Sequence, residues 1–178
     1  MLKPKIFFFG LTLVIILLDQ LSKALVTHLF FLGESNLVLG NFLKLTYILN
    51  EGGAFGTNLG GGLFYTFTSI LAIILTIYFF VKSKGGKLLE LSLSLILGGA
   101  FGNLIDRIRV GEVVDFLDFD FFNISIPKLK FLFIDFPGYQ IDRWPIFNLA
   151  DSAVTLGMIL LVIYFFKPKK ITALSSQK

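Results

Sequence analysis

Apolar residues fall into four long blocks, and polar or charged residues intrude near one end of three of them. The first block is uncharged from Ile6 to Leu18 and continues through DQLSKALV to about Val26 if Asp19, Ser22 and Lys23 are tolerated in a membrane. The second is uncharged from Gly52 to Val81, with Asn58 and glycines 60 to 62 placing the start of the helix proper near Leu63. A third runs from Leu88 to about Ile108 and a fourth from about Pro145 to Phe166, but only Leu91–Ile105 and the part after Asp151 are free of charge. A bilayer crossing takes about 20 predominantly apolar residues. The pattern therefore predicts one integral membrane domain with four transmembrane helices, over about residues 6–26, 63–81, 88–108 and 145–166. Loops of about 27–62 and 109–144 join them on one side. The first block could alternatively be the apolar region of a signal peptide, since Lys3 and Lys5 precede it, but no small-x-small cleavage site follows.

The long loops have their own pattern. NLVLGNFLKLTYIL (Asn36 to Leu49) reads as two short strands about Gly40-Asn41, a residue pair suited to a hairpin turn. The second loop carries FDFF, FNISI, Pro127 and KLKFLFID with partial period-two alternation, which reads as strand or interfacial structure. With Trp144 and many Phe residues, both loops suit the aromatic belt at a membrane surface, although Phe-rich loops can equally pack on each other.

Composition agrees: 55% of the 178 residues are apolar and 16% charged, against about 25% charged in soluble domains. The net charge of +4 could suggest nucleic acid, but its placement argues otherwise. Lys3, Lys5, Lys82, Lys84, Lys87, Lys167, Lys169, Lys170 and Lys178 occupy the N-terminus, the short second loop and the tail, against Glu90 alone. Basic residues gather on cytoplasmic segments, so both termini are expected inside and the two long loops outside. The expected outer loops are net acidic. Without Cys there is no disulfide or thiolate chemistry, and His28 alone rules out a His-pair metal motif. Chemistry is left to carboxylates, hydroxyls, amides, Lys and Arg.

The polar intrusions share a level. Asp19 lies roughly 20 Å along a helix from Ile6 and Asn103 about 22 Å from Leu88, while Asp151 is about 9 Å inside Pro145. All fall in the outer third of the membrane, and Asp115 would lie just beyond or be returned by a turn at Gly111. Ionisable residues within spans are costly and mark functional candidates. Asp19, Ser22 and Lys23 lie on one helical face, as do Asn103, Asp106 and Arg107. Asp19 and Lys23 could be an internal ion pair as readily as a catalytic one, and Asn103 and Arg107 could hydrogen-bond a substrate backbone. Ser22 and Lys23 are adjacent, a poor geometry for a nucleophilic dyad.

Asn148, Asp151, Ser152 and Thr155 form a stripe with no basic residue on its face, and Asp115 sits in EVVDF. Two carboxylates at one depth, neither locally neutralised, could share a proton about one water, as in aspartic peptide hydrolysis. Structural polar contacts and a proton relay remain open on spacing alone. NEGGAFG (Asn50 to Gly56) lacks the strand-to-helix context of a phosphate loop; its glycines suit a tight loop near a substrate, where Asn50 could donate and accept.

Taken together, DQLSK (Asp19 to Lys23), NEGGAFG (Asn50 to Gly56), GGAFGNLIDRIRVGEVVDF (Gly98 to Phe116) and FNLADSAVTLG (Phe147 to Gly157) resemble the bacterial lipoprotein signal peptidases, or signal peptidase II, over about residues 6 to 166. The last two blocks together are highly specific. The resemblance implies an all-α inner-membrane aspartic endopeptidase of four helices with a small extracytoplasmic β-cradle and an interfacial loop. It implies Asp115 and Asp151 as the catalytic pair. Asp19, Lys23, Asn50, Gly52, Asn103, Arg107 and Asn148 would be substrate-binding or supporting positions. It also implies a diacylglyceryl-modified prolipoprotein substrate, cut before its lipidated Cys and reaching the site laterally through membrane lipid. No metal or organic cofactor, no nucleic acid and a monomer are expected. One departure is the connection between the aspartates, 35 residues here and longer than in many members, so its shape does not follow from the resemblance.

Two other classes compete with this reading. A small proton-coupled transporter also uses intramembrane carboxylates, but favours the midplane and related halves, and no repeat is visible here. A structural subunit would tolerate Asp→Asn at either position.

Overall fold

In a computed structural model of the chain, residues 3–52, 60–83, 86–121, 124–131, 134–141 and 143–167 are described. Four helices, α1 (Lys3–Leu29), α2 (Gly61–Lys82), α3 (Lys87–Val110) and α4 (Leu149–Phe166), are each long and apolar enough to cross a membrane. Positions 53 to 56 of the glycine-dense motif and 57 to 59 after it, Lys84 and the Lys-rich tail from Pro168 lie outside the described residues.

Helix α3 is the centre of the bundle and packs against the other three. Its glycines set the distances. A Cβ on Gly98 would meet the Ile15 side chain at 2.8 Å, one on Gly99 would collide with the Ala150 carbonyl oxygen, and one on Gly102 would lie 2.5 Å from the Asp19 carboxylate. Opposite them, Gly157 of α4 lies against the Ser92 carbonyl and Ile96. Small residues let membrane helices approach closely where lipid supplies no hydrophobic drive for association. The remaining faces of α1, α2 and α4 expose large apolar side chains, as lipid-facing helices should.

Helix α4 begins at Leu149, not near Pro145 as hydropathy suggested. The apolar residues before it belong to the sheet edge: Phe147 N–H donates to the Leu117 carbonyl at 3.1 Å, and its own carbonyl accepts from Phe116 and Leu117. Asn148, in extended conformation, is the cap. Its side chain accepts from the Asp151 N–H at 2.9 Å, while the Asp151 carboxylate accepts from the Asn148 N–H at 3.3 Å. This capping box satisfies donors that a helix starting at membrane depth could not leave bare.

The expected hairpin is present. β1 (Ser35–Leu39) and β2 (Leu43–Asn50) pair antiparallel, with Gly40 at φ +53° in the turn. β3 (Val113–Phe119) completes a three-stranded sheet in the order β1-β2-β3. It follows α3 directly because Gly111 adopts φ +89°, where glycine carries no Cβ penalty, and its N–H returns to the Arg107 carbonyl at 3.0 Å. Register pairs Asn50 with Val113 and Ile48 with Asp115.

Beyond the sheet, β4 (Ile124–Ile126) pairs with β7 (Tyr139–Ile141) and β5 (Leu129–Phe131) with β6 (Ile134–Phe136). Both ladders share one register, so they form a single ribbon. It is interrupted at the level of Pro127 and Pro137, which have no N–H to give. Next to its base, Arg143 donates to the Asp118 carboxylate at 2.7 Å, to Asp120 at 3.2 Å and to the Asn41 carbonyl at 3.1 Å. The segment that reaches α4 is thereby fastened to the sheet.

Candidate functional site

The capping box places Asp151 in the first turn of α4, and the Gly111 turn brings Asp115 on β3 to the same level. Asn148 lies between them. Its Nδ2 donates to Asp115 Oδ1 at 2.7 Å and to Asn103 Oδ1 at 3.0 Å. Asn103, from α3, donates through Nδ2 to Asp151 Oδ1 at 2.8 Å. The second oxygen of Asp115 accepts from Asn50 Nδ2 at 2.8 Å, at the end of β2. Both oxygens of each aspartate thus accept hydrogen bonds from neutral amides, and neither makes a salt bridge among the described residues.

Both aspartates line one cavity of about 410 Å³, together with Asn50, Asn103 and Arg107. From the aspartates it runs along Ser152, Thr155, Leu156 and Ile159 of α4, and Leu156 and Ile159 are exposed on the apolar side of that helix. Asp115 itself is 1% exposed. Burial, then the neighbouring Asp151, push its carboxyl up to about 7, only partly offset by the amides of Asn50 and Asn148.

Arg107 reaches the cavity from α3 and is fixed on its other sides. It donates to the Gly52 carbonyl at 3.2 Å and to Ser69 at 3.3 Å, with its guanidinium 5.9 Å from the centre of the Tyr65 ring. Gly52 in turn donates its N–H to Asn50 Oδ1 at 2.9 Å, so Arg107 and Asn50 brace one loop end.

Asp19 and Lys23 lie behind the cavity wall rather than on it, at 0% and 3% exposure. Direct substrate contact is not open to either, nor to the fully buried Asn148. Lys23 Nζ lies 2.9 Å from Asp19 and 2.7 Å from Asp106, so the ion pair anticipated within α1 extends to α3. The third polar neighbour of Lys23 is Asn103 Oδ1 at 2.9 Å. Asp19 also accepts the Ala150 N–H at 3.0 Å, capping α4 from another helix. Three participants escaped the sequence reading. Gln20 bridges Asp19, Asp106 and the Gly102 carbonyl. Tyr65 and Ser69 hold Arg107 from α2. Gln20 was visible as a polar residue inside a span; the other two carry no local signal. Among the described residues no cluster of His, Cys, Asp and Glu could hold a metal ion.

Known proteins share this architecture and sequence. The family model described as signal peptidase (SPase) II matches residues 11–167. A lipoprotein signal peptidase of Chlorobium phaeobacteroides is 41% identical over 161 residues, covering 89% of this chain and 94% of that protein. One from Halothermothrix orenii is 37% identical over 159 residues, with the same coverage, and one from Staphylococcus aureus is 35% identical over 168, covering 92% of each. A bacterial membrane enzyme solved by the in meso method superposes with a TM-score of 0.76 at 32% identity, covering 96% of this chain and 94% of that one. With four apolar helices, a small antiparallel sheet and a family match over most of its length, this chain belongs to the signal peptidase II family and is a membrane signal peptidase.

Proposed function

We propose that the chain is an aspartic endopeptidase in which Asp115 and Asp151 activate one water molecule. The observation that carries this reading is two carboxylates from different elements, the buried Asp115 and the partly buried Asp151, joined through Asn148 and both on the wall of one cavity, with only amides as direct partners among the described residues. Two such groups facing each other do not both ionise readily. One carboxylate takes a proton from the attacking water. The other, protonated, polarises the scissile carbonyl, and a proton then passes to the leaving amine as the C–N bond breaks. Asn50, Asn103 and Arg107 line the same cavity and place the peptide backbone.

The substrate in this proposal is a diacylglyceryl-modified prolipoprotein, cut before the lipidated Cys. The extension of the cavity along Leu156 and Ile159 supports access from lipid, where acyl chains already reside. The cluster of lysines at the opposite helix ends supports a multi-pass inner-membrane topology with both termini cytoplasmic and the site near the outer face. We further take the chain to act as a monomer.

Asp115→Asn and Asp151→Asn, each made singly and assayed on a lipidated prolipoprotein in membranes, should each lose cleavage by about 10³-fold or more. Full activity in either stably inserted variant would overturn the dyad.

A further inference from the structure

Lys23 reaches neither the cavity nor either proposed catalytic aspartate, yet one residue, Asn103, links it to Asp151 and two, Asn103 and Asn148, link it to Asp115. An ammonium only donates hydrogen bonds. The Asn103 atom 2.9 Å from Lys23 Nζ is therefore the amide oxygen, and the NH2 group must point the other way, at Asp151. The same constraint passes onward. Asn148 must present its own NH2 to the Asn103 oxygen, and that NH2 also meets Asp115. The far end agrees independently, because the Asn148 oxygen is held by the Asp151 N–H in the capping box. Were Asn103 to turn over, its oxygen would face the Asp151 carboxylate, two acceptors with nothing between them, and its NH2 would face Lys23 and the Asn148 NH2.

We propose that Lys23 is a positioning residue for peptide hydrolysis: its ammonium fixes the direction of the Asn103 and Asn148 amides, so that both donate toward the aspartate pair. Asp19 and Asp106 hold the ammonium in place, at 2.9 and 2.7 Å, and offset its charge. Gln20 fixes the two acids from the side. This rests on the dyad reading above and adds what orients it.

The obvious variant, Lys23→Met, leaves two buried carboxylates without their cation and can fail to fold. The decisive variant removes all three charges: Asp19→Asn, Lys23→Met and Asp106→Asn together, in the full chain, assayed with a synthetic diacylated lipopeptide. The proposal expects kcat to fall by about 10- to 100-fold with KM within about threefold, a loss of transition-state geometry without loss of binding. It also expects no further fall when the three changes are added to Asn103→Ala, because both act through one amide. Wild-type kcat in the triple variant, or losses that simply multiply with Asn103→Ala, would overturn it. Should the triple variant not fold, Lys23→Arg keeps between the acids a cation that, like the ammonium, only donates toward the Asn103 oxygen. It should keep kcat within about threefold of the parent, and a kcat loss as large as that of Asn103→Ala in a folded Lys23→Arg variant would overturn the proposal. Asp115→Asn assayed in parallel separates the two readings. Its full activity would sink the dyad itself, whereas an inactive Asp115→Asn beside a fully active triple variant would sink only the role of Lys23.

Discussion

Two pairs of carboxylates lie side by side in this membrane bundle, and they are solvated in opposite ways. Asp19 and Asp106 share an ammonium, at 2.9 and 2.7 Å, and are sealed away from the cavity. Asp115 and Asp151 have only amide partners among the described residues and face the cavity. A cation between two acids offsets their charge in a buried setting. At Asp115, burial and then the neighbouring Asp151 raise the carboxyl, and the neutral amide donors offset this only in part. The lesson is that depth does not separate the two pairs of acids here; the chemistry of the partner does.

The comparison can be broken most severely at its cation. Lys23→Met should cost about 3 to 5 kcal/mol by leaving two buried acids unpaired, read as lower folded yield and an earlier thermal transition in detergent. A variant as stable as the parent would mean the sealed acids need no cation. The opposite behaviour is expected of Asp115→Asn. The native carboxyl holds its proton up to about 7, against an ordinary value of 3.8. Between those limits the native chain binds a proton that the unfolded chain has released, so its stability falls as pH rises. The asparagine variant lacks that slope and should gain on the parent from pH 5 to pH 8, on the order of 2 kcal/mol. Melting curves at both pH values test this, and a variant that loses stability relative to the parent as pH rises would contradict it.

Smaller effects sharpen the picture. Gly102→Ala would bring a methyl group within 2.5 Å of the Asp19 carboxylate, and about 1 to 2 kcal/mol of strain is expected. Because Asp19 also caps α4 through Ala150, activity should fall with stability. Arg143→Ala removes a partly exposed clamp on Asp118 and Asp120 and should cost under about 1 kcal/mol. A thermal shift as large as that of Lys23→Met would show that the outer clamp, rather than the inner cluster, holds the fold.

The four helices were legible because apolar runs of span length have few other uses, and the intramembrane residues stood out against them. What the sequence obscured lay where apolar residues were spent on something else. Pro145, Ile146 and Phe147 read as membrane helix, yet Phe147 is an edge partner of Leu117 on β3. The N-x-x-D spacing of the capping box at Asn148 and Asp151 equally fits a polar stripe on a helix already begun, so the sequence does not separate the two. EVVDF was read for its carboxylate and not as a strand, because its burial on both faces hides alternation. Asp106 found its cation across the bundle in Lys23, and Tyr65 and Ser69 met Arg107 from α2. Such pairings depend on how helices cross, which no local spacing records.

The late start of α4 has one more consequence. Its 18 residues span about 27 Å, slightly less than a hydrocarbon core of about 30 Å, whereas the 24 residues of α3 have length to spare and can tilt. The shortest helix is the one along which the cavity runs. Helix α4 therefore meets a bilayer with less length to spare than α3, and any mismatch grows with bilayer thickness. The level of Asp151 is thus set by the helix with the least length to spare among the four described, which ties the cavity beside it to bilayer thickness.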